Sequence, residues 1–257
     1  MRIILNKNNI LYLVLLIYFH STFASENLNQ FKVEADKSIE YFEKQKIYIA
    51  TGNAQASKGN FSIKAEKITA FMGKAKNSNM TEIEATGSVI IINDNTVAKS
   101  GFAKYNFKNK FIILKGNNQS LEAKKFKILS KKFISFDDIN KIAKSEGDVK
   151  LFLSGQVSIF AKKINAKFNK INNTLITASA YENVKIKTKL ETITCNSAKY
   201  DNRTNIISLK GNVVIKRDNN VLNGEIGYMN LNTRKSRIES GKSKRIKGVF
   251  KPVNKID

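Results

Sequence analysis

Few residues of this chain are of the types that usually carry out chemistry. The only histidine is His20, within the first 24 residues, and the only cysteine is Cys195. Without a further histidine the chain has no Ser-His-Asp triad, no histidine general base and no ordinary zinc site. A single cysteine forms no disulfide within the chain, and we interpret Cys195 as a buried thiol.

The adjacent carboxylates Asp137 and Asp138 are the remaining candidates for acid–base chemistry. Paired carboxylates hydrolyse glycosides in some enzymes, but adjacent acids in a polar segment are far more often solvated surface groups. We therefore expect no catalytic residue, no metal site and no cofactor, and we predict that the chain is not an enzyme.

Alternating apolar side chains are the clearest pattern in the sequence. Valine, isoleucine and aromatic residues recur two positions apart in short runs, as in Val213 and Ile215 or Ala198 and Tyr200. Side chains at that spacing fall on one face of a β-strand. Such a face is either a packed core or the wall of an apolar trough, and periodicity alone does not distinguish the two.

These runs belong to a repeated unit of strands and turns. Its openings are Gly52, Gly87, Gly116, Gly147, Glu182 and Gly211, at spacings of 35, 29, 31, 35 and 29 residues. The glycine predicts a sharp turn or bulge at the start of a strand. A period of this length indicates stacked units, so we predict a nearly all-β chain that forms a barrel, a jelly roll or a solenoid.

The repeat is weakest between Asn117 and Lys144. Gly116 lacks the Val-x-Ile arm of the other units, and residues 136–144 are predicted to form a short helix or a long loop. Two halves of the domain would meet near residues 136–146. Residues 241–257 are predicted to be a basic, polar and frayed tail.

The first 24 residues have the pattern of a secretory signal. Arg2 and Lys7 precede the apolar run from Ile10 to Phe19, and small residues lead to Ala24. A membrane-spanning helix needs roughly 20 apolar residues, so this run favours a cleaved signal over an uncleaved anchor. We expect cleavage after Ala24.

The chain is strongly basic, with 45 Lys and Arg against 21 Asp and Glu. Without Arg2 and Lys7 the net charge falls from +24 to +22. This surplus favours an anionic partner or surface, although the abundance of Lys, Asn and Ile together also fits a general compositional bias. Secretion, and the lack of aromatic residues interleaved with the basic ones, argue against nucleic acid.

A secretory signal followed by such repeats resembles the OstA-like family of lipopolysaccharide-transport proteins. The resemblance runs from about Val33 to Ile238 and is clearest at Gly52-Asn53-Ala54, Ala198-Lys199-Tyr200-Asp201 and Gly211-Asn212-Val213. It implies that residues 25–240 form an OstA-like β jelly roll, a taco-shaped fold of repeated antiparallel strands. It also implies that lipid A acyl chains lie between the two sheets.

The resemblance further implies a periplasmic carrier that moves lipopolysaccharide from the inner to the outer membrane. Its partners would be the inner-membrane and outer-membrane components of the transport system and other copies of itself. Copies would pair head to tail through strands near Lys32–Ala35 and Asn232–Ile238. The candidate lipopolysaccharide-binding residues are Val89, Ile91, Tyr105, Val149, Leu151, Phe168, Val184, Ile186, Tyr200, Val213 and Ile215.

Two other interpretations remain open. The chain could be the membrane-anchored relative or the outer-membrane partner's matching domain in the same transport system. It could also be a secreted structural protein built from β-repeats.

Overall fold

The protein is described by a computed structural model over residues 31–74, 79–153, 157–241 and 245–250. The predicted signal lies outside the described residues. The strands are β1 (Lys32–Glu34), β2 (Ser38–Phe42), β3 (Ile47–Lys58), β4 (Phe61–Met72), β5 (Met80–Asn93), β6 (Thr96–Asn106), β7 (Phe111–Lys115), β8 (Gln119–Ala123), β9 (Phe126–Ser130), β10 (Phe133–Asp137), β11 (Ile142–Leu153), β12 (Val157–Phe168), β13 (Leu175–Lys187), β14 (Thr192–Asp201), β15 (Ile206–Arg217), β16 (Asn220–Asn230), β17 (Lys235–Glu239) and β18 (Lys247–Val249).

The long strands divide their pairing between two layers. The first half of β3 pairs with β2 and with the end of β4, whereas its second half pairs with β1 and with the start of β4. The same division recurs along β4–β6 and β11–β16. We call the layer that contains the first half of β3 layer I, and the layer that contains its second half layer II. Layer I also contains β2, β7, β10 and β17, and layer II also contains β1, β8, β9 and β18. All the pairings are antiparallel, which confirms the predicted all-β jelly roll of repeated antiparallel strands.

In every second long strand, a two-residue bulge marks the point where the strand passes from one layer to the other. In β3 the register shifts between Thr51 and Ala54, and the intervening Gly52 and Asn53 have φ of 86° and 41°. Gly87-Ser88, Gly147-Asp148, Glu182-Asn183 and Gly211-Asn212 repeat this pair of positive φ angles. Glycine adopts a positive φ without steric cost. The glycine of the repeat is therefore a bulge in the middle of a long strand, rather than at a strand start as predicted.

The weak repeat is a complete unit whose two long strands are each broken in two. Strand β7 ends at Lys115, the chain crosses at Gly116, and β8 supplies the arm that seemed to be missing. The sequence hides this arm because the fully buried Gln119 stands where other units carry valine. Strands β9 and β10 then return the chain to layer I.

The predicted helix or loop over residues 136–144 is wrong. Strand β10 ends at Asp137, a short turn follows, and β11 begins at Ile142. The Asp137 carboxylate accepts hydrogen bonds from the backbone N–H groups of Ile139 and Asn140, at 3.0 and 2.9 Å, which closes the turn. The described residues contain no helix. Because β10 pairs with both β7 and β11, layer I continues through the segment where two halves were expected to meet.

One end of the sheet is as predicted and the other is not. Strand β1 forms where the sequence predicted a first edge strand. At the other end, Lys247–Val249 pairs with β16, so part of the expected frayed tail is strand. The unpaired side of β16 in layer II attracts this segment because exposed backbone groups there lack partners.

The interior between the layers is one continuous hydrophobic cluster that runs from Ala50 to Met229. Cys195 belongs to it, which confirms the buried thiol. Burial raises the pKa of Cys195 to about 11.

The bulges give a direct test of the fold. A Cβ added to Gly147 would lie 2.5 Å from Lys132 Cβ and 2.8 Å from Lys132 N. Gly147→Ala therefore combines backbone strain with a clash against the turn between β9 and β10, and it should lower the free energy of unfolding by about 2–3 kcal/mol. Gly59→Ala is the matched control, because Gly59 also has a positive φ but open space around it. Gly59→Ala should lower the free energy of unfolding by only about 1 kcal/mol.

Glu182→Gly should raise the free energy of unfolding, because Glu182 adopts a φ of 64° that glycine adopts without strain. Its ion pair with Lys163 is exposed and contributes little. Urea unfolding followed by circular dichroism measures all three variants. Equal losses for Gly147→Ala and Gly59→Ala would contradict the close approach at the crossing.

Candidate functional site

The inner faces of the two layers carry the predicted binding residues. Ten of the eleven are buried and belong to the hydrophobic cluster. Tyr105, the eleventh, is half-buried. Cross-strand register puts it on the same inner face, because it pairs with the buried Ile83. The structure thus brings all eleven to one apolar interior.

Tyr200 reaches from the interior to the edge of layer I. Its hydroxyl donates a hydrogen bond to Asn205 Oδ1 at 2.8 Å and lies 3.0 Å from Asn202 Oδ1. Burial raises the pKa of Tyr200, so the hydroxyl stays neutral at physiological pH. The ring therefore faces hydrocarbon while its polar end is satisfied at the turn between β14 and β15.

The interior has two different long sides. Along one side, which we call the spine, the strands cross between the layers. Along the other, which we call the mouth, the turns of layer I face those of layer II. Only side chains join the layers across the mouth, because no strand pairing is found there among the described residues.

Aromatic side chains bridge the mouth at two places. Phe31, which precedes β1, packs edge-on against Phe107 at the rim of layer I, with ring centroids 6.0 Å apart. Further along, Phe126 of layer II lies 5.3 Å from Phe168 of layer I. Contacts of this kind stabilise by about 0.5–1.5 kcal/mol beyond the apolar area that they bury.

A polar clamp bridges the mouth near the C-terminal end. Glu191 of layer II is a buried carboxylate that is paired with Arg217 at 2.5 Å. It also accepts a hydrogen bond from Ser236 Oγ, on β17 of layer I, at 2.7 Å. Arg217 in turn donates to the carbonyl oxygen of Arg234, in the turn before β17, at 3.2 Å. We refer to Glu191, Arg217 and Ser236 as the clamp.

The interior is exposed at the N-terminal end. Val33, Ile39, Tyr41 and Tyr48 lie on inner faces, because their cross-strand partners lead to buried alanines. They are nevertheless 39–54% exposed. Among the described residues, strands β1 and β2 each pair with a strand on one side only, so this exposed apolar face lies at an edge of the sheet.

Sequence reasoning missed the residues that close the mouth. Glu191 and Arg217 lie in and beside turns, where charged residues are normally solvated, and only the three-dimensional fold brings them to Ser236. The inner-facing alanines were not among the candidate binding residues, although they recur two positions before Tyr105, Phe168 and Tyr200.

The other candidates for chemistry have structural roles. Asn140 donates hydrogen bonds to Asp137 and lowers its pKa, so this carboxylate stays ionised as a turn acceptor. Asp138 forms an ion pair with Lys141. No group of three or more potential metal ligands occurs in the part of the chain that the structure describes. Within the same residues, no helix is long and apolar enough to cross a membrane.

Comparison with known families identifies the protein family. The chain matches the family model described as LptA/(LptD N-terminal domain) LPS transport protein over residues 32–134 and again over residues 127–236. The chain belongs to this family. The two matches meet at β9 and β10, and together they cover nearly all of both layers.

A search of solved structures found LptH, described as the LptA-homologous periplasmic component of the lipopolysaccharide transport device from Pseudomonas aeruginosa. It shares 11% identity, and the alignment covers 87% of this chain and 96% of that chain. The TM-score is 0.23, so the superposition carries no argument here. A search of curated proteins gave no match.

The clamp predicts an asymmetric response to mutation. Arg217→Gln leaves the buried Glu191 carboxylate without its cation, and it should lower the free energy of unfolding by about 2–3 kcal/mol. This is less than for a fully buried pair, because the Arg217 side chain is 42% exposed. Lys216→Gln removes the same charge from an exposed neighbour and should change stability by less than about 0.5 kcal/mol.

Adding Glu191→Gln to Arg217→Gln should recover part of the loss, since no charge then remains buried. Urea unfolding of the three variants measures this. If Arg217→Gln costs no more than Lys216→Gln, the clamp does not hold the mouth.

Proposed function

We propose that the protein carries lipopolysaccharide through the periplasm and holds the lipid A acyl chains between its two layers. The observation that supports this most strongly is the continuous apolar interior, which extends from the exposed face at β1 and β2 to β16. Membership of a lipopolysaccharide-transport family gives the substrate class.

The energetics favour acyl chains as the cargo. Each methylene transferred from water to such an interior gains about 0.8 kcal/mol. The interior is closely packed, so a bound chain replaces contacts that one layer makes with the other. The layers separate at the mouth, where side-chain contacts alone hold them, while the hydrogen-bonded spine stays intact.

The charge of the chain suits this cargo. Lipid A phosphates are anionic, and the net charge is +22 without the predicted signal. Basic side chains at the edges of the interior attract phosphate groups by charge-assisted hydrogen bonds.

Copies of the chain join end to end in this proposal. Strands β1 and β2 end the layers on one side, and β17 and β18 end them on the other. Strand β2 carries Glu40, whereas β17 carries Lys235 and an Arg237–Glu239 ion pair, so the two edges differ in charge by the glutamate on one and the lysine on the other. Addition of a strand from a second copy satisfies the open backbone groups and extends the apolar interior. The same edges serve the inner-membrane and outer-membrane components of the transport system.

Photo-crosslinking tests where the cargo lies. A photo-crosslinking amino acid at Ile215 or Tyr200 should be labelled by lipopolysaccharide, because both side chains face the interior. The matched controls are the exposed neighbours Lys216 and Lys199, which should give little or no labelling. Equal labelling inside and outside, or none at either position in folded protein, would mean that the interior is a closed core.

Proline substitutions test the end-to-end contact. Proline in β2 or β17, at a position whose N–H points away from the neighbouring strand, removes a donor that only a second chain could use. Such variants should keep their circular dichroism spectrum while the ladder of cross-linked oligomers becomes shorter. An unchanged ladder with prolines at both edges would rule out this mode of assembly.

A further inference from the structure

A cavity of about 310 Å³ opens at the mouth beside the clamp. It lies between the turn of residues 188–191, which joins β13 to β14, and the turn of residues 231–234, which joins β16 to β17. Its volume is at the small end of the range for ligand sites, about 300–1,000 Å³. It is therefore large enough for a head group and the first part of an apolar chain.

Cations outnumber anions around this cavity. Lys189, Arg217 and Arg234 line it, and Glu191 is the single carboxylate among the lining residues. The turn that carries Lys189 is well ordered by local bonds, since Thr188 Oγ1 accepts hydrogen bonds from the N–H groups of Leu190 and Glu191. The backbone of this turn is thus fixed, and the three basic side chains give the lining of the cavity a local excess of positive charge.

Part of the cavity lining is apolar. Met229 and Val157, which are buried members of the hydrophobic cluster, line it together with Leu231. The cavity therefore connects a cationic opening with the interior between the layers. A ligand that suits both parts has an anionic group at one end and hydrocarbon at the other.

Arg217 has a donor left for such a ligand. One terminal nitrogen is used by Glu191 and by the carbonyl oxygen of Arg234. Its other terminal nitrogen takes part in neither contact, and Arg217 lines the cavity. Guanidinium groups present several N–H donors in a planar fork that matches phosphate oxygens. Glu191 holds this fork at the edge of the cavity.

We propose that this cavity binds the phosphate group of an amphiphile, with Arg217, Arg234 and Lys189 contacting the phosphate and Met229 and Leu231 contacting the first methylenes. This rests on the proposed function and adds a specific head-group site to it. The phosphate would belong to the carried lipid. Arg217 would then both bind the lipid and hold the mouth closed.

Isothermal titration with three probes tests the site. The probes are octyl phosphate, octyl glucoside and inorganic phosphate, each below any micelle-forming concentration. Octyl phosphate should bind with one site per chain. Octyl glucoside and inorganic phosphate should each bind at least about tenfold more weakly, because one lacks the charge and the other lacks the chain.

Variants locate the binding. Arg234→Gln and Lys189→Gln should each weaken octyl phosphate binding by about threefold to tenfold, because each removes one charge from the opening. Their side chains are exposed, so the fold should be unaffected. Lys216→Gln, which removes a charge outside the cavity, should change the affinity by less than about twofold.

Each contrary result is informative. Equal binding of octyl glucoside would remove the phosphate from the proposal, and equal binding of inorganic phosphate would indicate a site for the free ion. Equal effects of Lys216→Gln and Arg234→Gln would indicate general charge attraction, and absence of octyl phosphate binding would overturn the site outright. If lipopolysaccharide labels Ile215 but octyl phosphate does not bind, or its binding is not weakened by the cavity variants, only the head-group site is disproved. Octyl phosphate binding without that labelling would disprove the carrier function.

Discussion

The fold depends on one backbone constraint, the two-residue bulge with positive φ at which alternate long strands change layer. Because the bulge turns the strand without ending it, the two halves of one strand pair in different layers. Crossings in successive strands must stack closely, and at Gly116 the space is so limited that an added Cβ would lie 2.9 Å from Gly101 Cα. The repeat length in the sequence is the distance between these crossings on alternate strands.

This constraint makes the two long sides of the interior unequal. The spine is held by the backbone of every crossing strand, whereas the mouth is held by aromatic contacts and the clamp. A sandwich of this kind can separate on one side without losing its strand pairing. The proposed binding of hydrocarbon in a packed interior uses this arrangement, and the proposed head-group cavity lies at the mouth.

The sequence predicted the parts of the structure that follow from local periodicity. Val213 and Ile215 lie on an inner face, and Gly211 lies at a bulge, because strand alternation and positive φ are local properties. The arm after Gly116 was missed because Gln119 breaks the apolar pattern, and its burial depends on neighbouring strands. Residues 136–144 were misread because the polar turn at Asp138 resembles a loop. The clamp was not predictable, since Glu191 and Ser236 are 45 residues apart in sequence and meet only across the mouth.

Native mass spectrometry of the protein, released gently and without detergent from its own envelope, tests the central claim most directly. If acyl chains occupy the interior, part of the protein should carry the added mass of one glycolipid, and that mass should be lost when the protein is unfolded with urea. If folded protein from the envelope carries no lipid, or retains bound lipid after unfolding, the interior is not a carrier for hydrocarbon.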